Sequence, residues 1–314
     1  MTSIVHPADA PLAPAAAPPV ILAPADVFAQ RARRFDTLAQ GHALGGWLHW
    51  ETWRRVLRLH VLGSLSRAQQ HALEQLAELP VPDSATRARA QEHQMPPLAG
   101  IVLPPAILHD TLIPMLERCA AEHPATVTPI ANGLRSSSPE RLRQLAESLL
   151  AGEPDPTAAD ALPFVAAALQ VIWTSAARKL GTGGVPALAD ARTVCPCCGS
   201  FPVGGVVRLD PAINNLRYLH CSLCNTQWNF PRVQCTVCEA EKTVAYQSIA
   251  GSSGAVRAET CDDCHSYLKL YYQEKDPLLD PVADDLATLA LDVLVDEAGY
   301  NRSGPNLLFV PGQS

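Results

Sequence analysis

The sequence lacks any apolar run long enough to cross a membrane. A spanning helix needs roughly 20 apolar residues, and the nearest candidate, residues 161–177, is interrupted by Gln170, Thr174 and Ser175. The first residues also lack the basic region and the long apolar stretch of a signal peptide. We therefore expect a protein of the cytoplasm with no stable membrane insertion.

The chain also lacks an excess of positive charge. It has 24 Lys and Arg against 31 Asp and Glu, which gives a formal net charge of −7. This balance argues against a general affinity for nucleic acids, although it leaves room for a local basic patch.

Cysteine is abundant and unevenly placed. Nine of the ten cysteines lie between Cys195 and Cys264, and only Cys119 lies outside this window. Disulfides are rare in a reducing compartment, so the clustering indicates metal binding or redox chemistry.

The spacing of these cysteines repeats. The unit C-x2-C-x22-C-x2-C occurs twice, which indicates duplication of a metal-binding module. Sequential pairing predicts one site from Cys195, Cys198, Cys221 and Cys224, and a second from Cys235, Cys238, Cys261 and Cys264. Interleaved pairing is the alternative. Four thioredoxin-like redox pairs are a further alternative, but the βαβ setting of that fold is missing.

Two tetracysteine sites would have a defined chemistry. Zinc and single iron ions both accept four thiolates in a tetrahedron. Such a site is closed, without an open position for a reactive water, and no other catalytic constellation stands out in the sequence, so we expect no enzyme activity. Cys197 is expected to be a bystander, with replacement of Cys198 as the alternative. His220 and His265 could lie behind the ligands or on the surface.

The rest of the chain predicts an α+β fold: an N-terminal all-α bundle, then tandem rubredoxin-like or zinc-ribbon β modules, and a C-terminal helix. The expected domains are an Ala/Pro-rich disordered leader (1–24), a helical domain (25–190), a first ribbon (191–232), and a second ribbon with the helix (233–314). Proline-containing breaks between helices are expected near 80–84, 96–105, 123–129 and 154–156, and a polar loop near 85–97. Short strands are predicted at 205–209, 216–220, 226–230, 243–249, 255–259 and 267–272.

The C-terminal helix is predicted from its start signals. Asp280 fits the N-cap and Pro281 the first helical position, with Asp284 and Asp285 near the positive end of the helix dipole. Its buried stripe is expected to comprise Val282, Leu286, Leu289 and Val293.

Several segments resemble the formate dehydrogenase accessory protein FdhE family. They are Cys195-Pro-Cys-Cys-Gly-Ser, Leu216-Arg-Tyr-Leu-His-Cys-Ser-Leu-Cys, Glu259-Thr-Cys-Asp-Asp-Cys-His-Ser-Tyr-Leu-Lys and Tyr272-Gln-Glu-Lys-Asp-Pro. The resemblance runs from about Val20 to the end and is most specific in the cysteine half. Cys197, and His265 where the family has glycine, depart from its pattern.

The resemblance implies a cytoplasmic, non-catalytic chaperone that is required for assembly of respiratory formate dehydrogenase. Its partner would be the immature catalytic subunit, and its two metal ions would be iron of the rubredoxin type, with zinc possible. The ribbons alone leave two other functions open: a tandem zinc-ribbon nucleic-acid-binding protein and a rubredoxin-type electron carrier. Residues 192–275 hold eight Lys/Arg and seven Asp/Glu, a balance that does not favour nucleic acid.

Overall fold

The structure is a computed structural model that describes residues 17–44, 49–76, 79, 81–187, 192–208 and 216–309. Residues 1–16 of the expected leader lie outside the described residues. The leader was predicted to reach residue 24, which is too long, because Val20–Ile21 forms strand β1 and pairs with a strand of the first ribbon.

A helical bundle precedes the cysteine-rich half, as the sequence predicts. Helix α7 lies at its centre, in contact with α2, α4 and α6. Almost every residue of α7 is buried, which explains why its sequence is apolar on all sides. The bundle comprises α1 (Val27–Leu44), α2 (His49–Gln75), α3 (Ser84–Glu92), α4 (Pro105–Glu122), α5 (Pro124–Ser136), α6 (Pro139–Leu150) and α7 (Leu162–Leu180).

The loop predicted at 85–97 is wrong over its first eight residues, and the break predicted at 123–129 is too long. Residues 84–92 form α3, whose N-cap Asp83 accepts a hydrogen bond from the Thr86 N–H at 2.7 Å. The break predicted at 123–129 reduces to His123, since Pro124 takes the first turn of α5, where a missing N–H costs nothing.

Within the described residues, the strands form one eight-stranded sheet in the order β1-β4-β3-β2-β7-β6-β5, with β8 added to β7. All six strands predicted from the sequence are present, with ends that differ by a few residues. They are β2 (Pro202–Arg208), β3 (Leu216–Cys221), β4 (Gln227–Asn229), β5 (Val244–Gln247), β6 (Val256–Cys261) and β7 (Ser266–Tyr272), and β8 is Asn301–Arg302.

The duplication is visible in the sheet. Strands β2-β3-β4 form one antiparallel meander and β5-β6-β7 form the other. Parallel pairing of β2 with β7 joins the two meanders. The two ribbons therefore share a continuous sheet, a connection that the cysteine spacing does not reveal.

The junction between the ribbons requires glycine. A Cβ atom at Gly204 would lie 2.5 Å from Cε2 of Tyr271 and 2.9 Å from the backbone oxygen of Lys269. Both distances are shorter than van der Waals contact, so β2 approaches β7 this closely only because Gly204 has no side chain.

The C-terminal helix is present but broken. It consists of α8 (Ala283–Ala287) and α9 (Leu289–Glu297), and the Asp280 side chain accepts hydrogen bonds from the first backbone N–H groups. The break shifts the buried face, so the predicted stripe is wrong beyond Leu286. Val293 is 57% exposed, whereas Leu291 and Val295 are buried.

Asp284 and Asp285, predicted to lie near the positive end of a helix dipole, also form ion pairs with other elements. Both are buried. Asp284 binds Arg34 of α1 at 2.6 Å, and Asp285 lies 3.1 Å from the Lys269 ammonium and 2.8 Å from the Arg302 guanidinium. These ion pairs attach the C-terminal helices to the bundle and to the sheet.

Candidate metal centres

Each Cys-x-x-Cys pair occupies a tight turn of the same construction. The backbone of the first cysteine bonds to the residue five positions later in all four turns, as in Cys195 N–H to Ser200 C=O at 2.9 Å. The residue after the second cysteine always has a positive φ. These residues are Gly199 (81°), Asn225 (57°), Glu239 (62°) and His265 (52°).

This conformation explains why glycine is expected at position 265. Side chains with a Cβ pay an energy penalty in the left-handed region, and glycine does not. Only Gly199 avoids this cost, and Asn225 is the residue type that tolerates it best after glycine. His265 and Glu239 adopt the same turn at a greater cost.

Hydrogen-bond donors surround the sulfur atoms. The Cys221 Sγ accepts from the backbone N–H groups of Leu223 and Cys224 at 3.4 and 3.3 Å. In the second ribbon, the Val237 N–H donates to Cys235 Sγ at 3.4 Å. Such bonds stabilise the thiolate form, which is the form that binds a metal.

Hydroxyl groups occupy equivalent positions in the two ribbons. The Thr226 hydroxyl lies 3.1 Å from Cys224 Sγ, and the Ser266 hydroxyl lies 3.0 Å from Cys264 Sγ. Each follows its cysteine by two residues, so the duplication extends beyond the cysteines to the groups that contact them.

The eight predicted ligands come together in the two sequential sets, not in the interleaved ones. Within each set, all four sulfur atoms lie within 4.8 Å of one another. Four of these contacts span 3.4–3.6 Å: Cys195 to Cys224, Cys198 to Cys221, Cys235 to Cys264, and Cys238 to Cys261.

These distances fit a shared ion. A tetrahedron with metal–sulfur bonds near 2.3 Å places its sulfurs about 3.8 Å apart, whereas a disulfide needs about 2.05 Å. Each cluster could therefore hold one metal ion, and the donor set suits zinc and iron equally well.

The charge of the first cluster also calls for a cation. Its four cysteines are buried, and burial raises the pKa of the Cys195 and Cys221 thiols. At Cys224, burial acts in the same direction, but hydrogen bonds from the neighbouring thiols outweigh it and lower the pKa. Four buried thiolates require a positive charge at their centre.

The two remaining cysteines lie outside these sets. Cys197 is fully buried between two ligands, and its carbonyl oxygen accepts a hydrogen bond from the Leu98 N–H at 3.0 Å. Cys119 is buried in α4, and burial raises the pKa of its thiol to about 12. Neither is a member of a four-sulfur cluster.

The two candidate histidines differ. His220 is buried, and burial lowers its pKa to about 4, so its ring is neutral at pH 7. It contacts Asn225 Oδ1 at 3.2 Å and thereby supports the turn beside Cys224. His265 is exposed, near the Tyr300 ring at 6.0 Å between centroids.

Sequence reasoning missed the cation that contacts the first ribbon. Arg31 of α1 is fully buried; its Nε donates to Asp280 at 3.1 Å and its Nη2 to Asn225 Oδ1 at 2.7 Å. The Asn225 side chain donates in turn to the Thr174 hydroxyl of α7 at 2.9 Å. No local sequence signal links residues 194 positions apart.

Arg217 and Arg232 are basic residues of the first ribbon that could offset the negative charge of a metal–thiolate site. Arg217 is instead paired with buried Glu259 through two bonds of 2.9 and 2.7 Å, and it also donates to the Gln234 carbonyl at 3.2 Å. It fixes the connection between the ribbons. Arg232 is exposed.

One Ser–His–acid cluster occurs in the helical bundle. The Ser64 hydroxyl lies 2.8 Å from His123 Nε2 and 2.7 Å from Glu122 Oε2. In a catalytic triad, the acid orients the histidine and leaves the serine free to lose its proton to the ring. Here the acid binds the serine itself, so the order of contacts is not that of a triad.

In the part of the chain that the structure describes, no helix is both long and apolar enough to cross a membrane.

Comparison with known proteins gives a consistent result. Three family models match consecutive segments: "FdhE, N-terminal" at residues 17–189, "FdhE, central domain" at 194–232 and "FdhE, C-terminal domain" at 233–309. A protein named FdhE homolog from Pseudomonas aeruginosa is 37% identical over 300 residues, covering 91% of each chain. Protein FdhE from Salmonella paratyphi A is 34% identical over 294 residues, covering 92% of this chain and 89% of its own.

A solved structure shares the fold. The crystal structure of the FdhE protein from Pseudomonas aeruginosa superposes with a TM-score of 0.78 at 36% identity. The match covers 94% of this chain and 100% of that chain.

Proposed function

The chain belongs to the FdhE family, and from this we propose that it is a cytoplasmic accessory factor for the assembly of a respiratory formate dehydrogenase. It would act as a chaperone that binds the immature catalytic subunit of that enzyme, without catalysis of its own. Family membership and the closed donor sets of the two clusters support this proposal. Each cluster would hold one metal ion, iron by family resemblance, with zinc as the alternative.

The observation that carries the proposal is an exposed apolar surface on the second ribbon. Val233 precedes the Cys235–Cys238 turn and Val237 lies within it, and their side chains are 49% and 51% exposed. Tyr246 of β5 is partly exposed, and its hydroxyl donates to the Arg232 carbonyl beside Val233 at 2.9 Å. We call Val233, Val237 and Tyr246 the ribbon surface. Exposed apolar side chains concentrated on one small module are a candidate contact site for another protein.

A metal ion would give this surface a fixed shape. The turn that carries Val237 is short and has little core of its own, so binding of an ion to Cys235 and Cys238 supplies folding energy there. With four sulfur ligands, the ion has no free position for a substrate. Recognition of a partner therefore suits this cluster better than turnover.

The charges near the ribbon surface do not favour nucleic acid. Glu239, Glu241, Asp262 and Asp263 are exposed around the second cluster, and a filled four-thiolate site adds negative charge to them. Nucleic-acid surfaces instead concentrate Lys and Arg. The chain is therefore proposed to bind protein.

Co-purification with the catalytic subunit of a formate dehydrogenase tests the proposal. The informative variants are Val233→Asp and Val237→Asp, which leave all ligands in place. We expect two metal equivalents to remain and capture to fall at least roughly tenfold, because an unpaired carboxylate is costly to bury in a protein contact. Val293→Asp is the matched control, because Val293 has a similar exposure, 57%, but lies on α9.

The double variant Cys235→Ser/Cys238→Ser is expected to lose one ion and the capture together, while circular dichroism shows the helical bundle intact. Unchanged capture by all of these variants would refute the ribbon surface as the docking site. Absence of capture by the wild-type protein, with its metal in place, would refute the partner.

A further inference from the structure

The two clusters differ in their access to solvent. In the first cluster, Cys195, Cys221 and Cys224 are fully buried and Cys198 is 6% exposed. In the second, Cys235 and Cys261 are buried, but Cys238 is exposed and Cys264 is partly exposed. The same ligand set therefore has two different environments in one chain.

Helices cover the first cluster. The Leu98 N–H, before α4, bonds to the Cys197 carbonyl at 3.0 Å. The Gln170 side chain of α7 donates to the Ser222 carbonyl, inside the second turn of this cluster, at 2.8 Å. The ligands belong to the same continuous core as the bundle, so exposing them requires the bundle and the ribbon to separate.

The Cys235–Cys238 turn has no comparable cover among the described residues. Glu239 N–H bonds to the Cys235 carbonyl at 3.1 Å, and the Gln234 side chain bonds to the Glu239 carbonyl at 3.4 Å. A longer-range bond, from Arg217 to the Gln234 carbonyl at 3.2 Å, lies before the turn and leaves Cys238 uncovered. Val237 and Glu239, on either side of Cys238, are exposed as well. A reagent in solution can reach this sulfur while the protein stays folded.

We propose that the second cluster is an exchangeable metal centre entered through Cys238, whereas the first cluster keeps its ion as long as the chain is folded. Two classes of reagent would act at Cys238. They are soft chelators, which compete for the ion, and electrophiles, which react with thiolates. This inference concerns the chain alone and does not depend on the partner proposed above.

The chemistry follows from the accessible sulfur. If Cys235, Cys238, Cys261 and Cys264 hold an ion, a chelator would bond to that ion in place of the Cys238 sulfur, and the released thiolate would take a proton from water. With N-ethylmaleimide, the Cys238 thiolate adds to the carbon–carbon double bond and its bond to the metal breaks. The resulting enolate takes one proton from water, so no oxidant is needed.

The test uses the full chain loaded anaerobically with two equivalents of zinc. Release is followed with the chromogenic chelator 4-(2-pyridylazo)resorcinol, and adducts of N-ethylmaleimide are located by mass spectrometry of peptides. We expect one equivalent of zinc to be released at least roughly 100-fold faster than the other, because access to the buried cluster needs a larger opening of the structure. The first adduct should form on Cys238.

Three buried thiols serve as internal controls in the same experiment. Cys119, Cys197 and Cys198 are buried thiols of the same chain and should stay unlabelled until denaturant is added. Cys238→Ser should remove the early adduct, and any shift of that adduct to Cys264 would still place the accessible site in the second cluster.

Several results would overturn the proposal. They are equal release rates for the two equivalents, early labelling at Cys195, Cys198, Cys221 or Cys224, and failure of the folded chain to hold two equivalents. The wild-type measurements decide the matter even if the Cys238→Ser protein does not fold.

Discussion

Replacement of Cys198 by serine should remove one metal ion, whereas the same replacement at the adjacent Cys197 should not. Both thiols are buried, so comparison of the two variants separates the loss of a metal ligand from the replacement of a buried thiol. Cys198 Sγ lies 3.4 Å from Cys221 Sγ within the first cluster, and Cys197 is not a member of that cluster. The wild-type protein, prepared anaerobically, should contain two equivalents by elemental analysis.

The size of the effect follows from the strength of structural metal sites. Binding of zinc to four such ligands is worth about 10–16 kcal/mol. Shared equally, one ligand contributes about 3 kcal/mol, which corresponds to a roughly 100-fold loss of affinity. Because this cluster lies in the core that includes the helices, the lost free energy should lower the stability of the bundle as well.

Competition with a chelator measures the affinity, and thermal unfolding measures the stability. Loss of metal from Cys197→Ser together with full retention in Cys198→Ser would show that the ligand assignment is wrong. A metal content near zero in well-folded wild-type protein would contradict both clusters.

Three further predictions test the surrounding structure. His265→Gly should raise the free energy of unfolding by about 0.5–1 kcal/mol in chemical denaturation, because glycine adopts the positive φ at no steric cost; a destabilised protein would count against the turn geometry. Gly204→Ala should lower it by about 1–3 kcal/mol, since the added methyl group meets the buried Tyr271 ring, and an unchanged stability would disprove the close contact of the ribbons. Hydrogen bonds from Thr157 and Arg141 lower the pKa of Asp155 to about 2, below the usual 3.8. Ionised Asp155 therefore stabilises the folded chain above about pH 4, and this contribution is lost as the pH falls towards 2. Asp155→Asn should lack this part of the acid dependence in unfolding curves, and identical curves for both proteins would refute the assignment.

The sequence predicts the grouping of the eight cysteines into two sets of four, because the relevant information is local. Two residues between cysteines fix the bite of each turn, and equal gaps of 22 residues assign the turns to modules. The same locality explains the success with the strands. The helix at Ser84–Glu92 was missed because its composition is polar and only Ala90 is buried, which leaves no apolar stripe to detect.

The relations between distant elements could not be predicted from one sequence. Arg31 looks like any arginine of an amphipathic helix, yet it contacts Asn225 and Asp280 in the folded chain. The difference in burial between the clusters has the same origin, since it depends on which ribbon the helices cover. The break at Thr288 likewise reflects tertiary contacts, including the Lys269 ammonium, which donates to the Thr288 carbonyl at 3.2 Å.

The division of the chain into a helical domain and two ribbons stays a proposal. Gln170 and Thr174 of α7 bond to the first ribbon, so the bundle and that ribbon share polar contacts as well as a core.

The parallel pairing of β2 with β7 makes the duplicated sheet a head-to-tail array rather than a symmetric pair. In such an arrangement, the two edge strands of each three-stranded unit differ: the first strand of one unit pairs with the last strand of another. The last strand of the first unit, β4, pairs with the two residues of β1. The last strand of the second unit, β7, pairs with β2. Within the described residues, the counterpart of β2 in the second unit, β5, pairs only with β6. A third unit could extend the sheet by the same parallel pairing, if its last strand, the equivalent of β7, paired with β5.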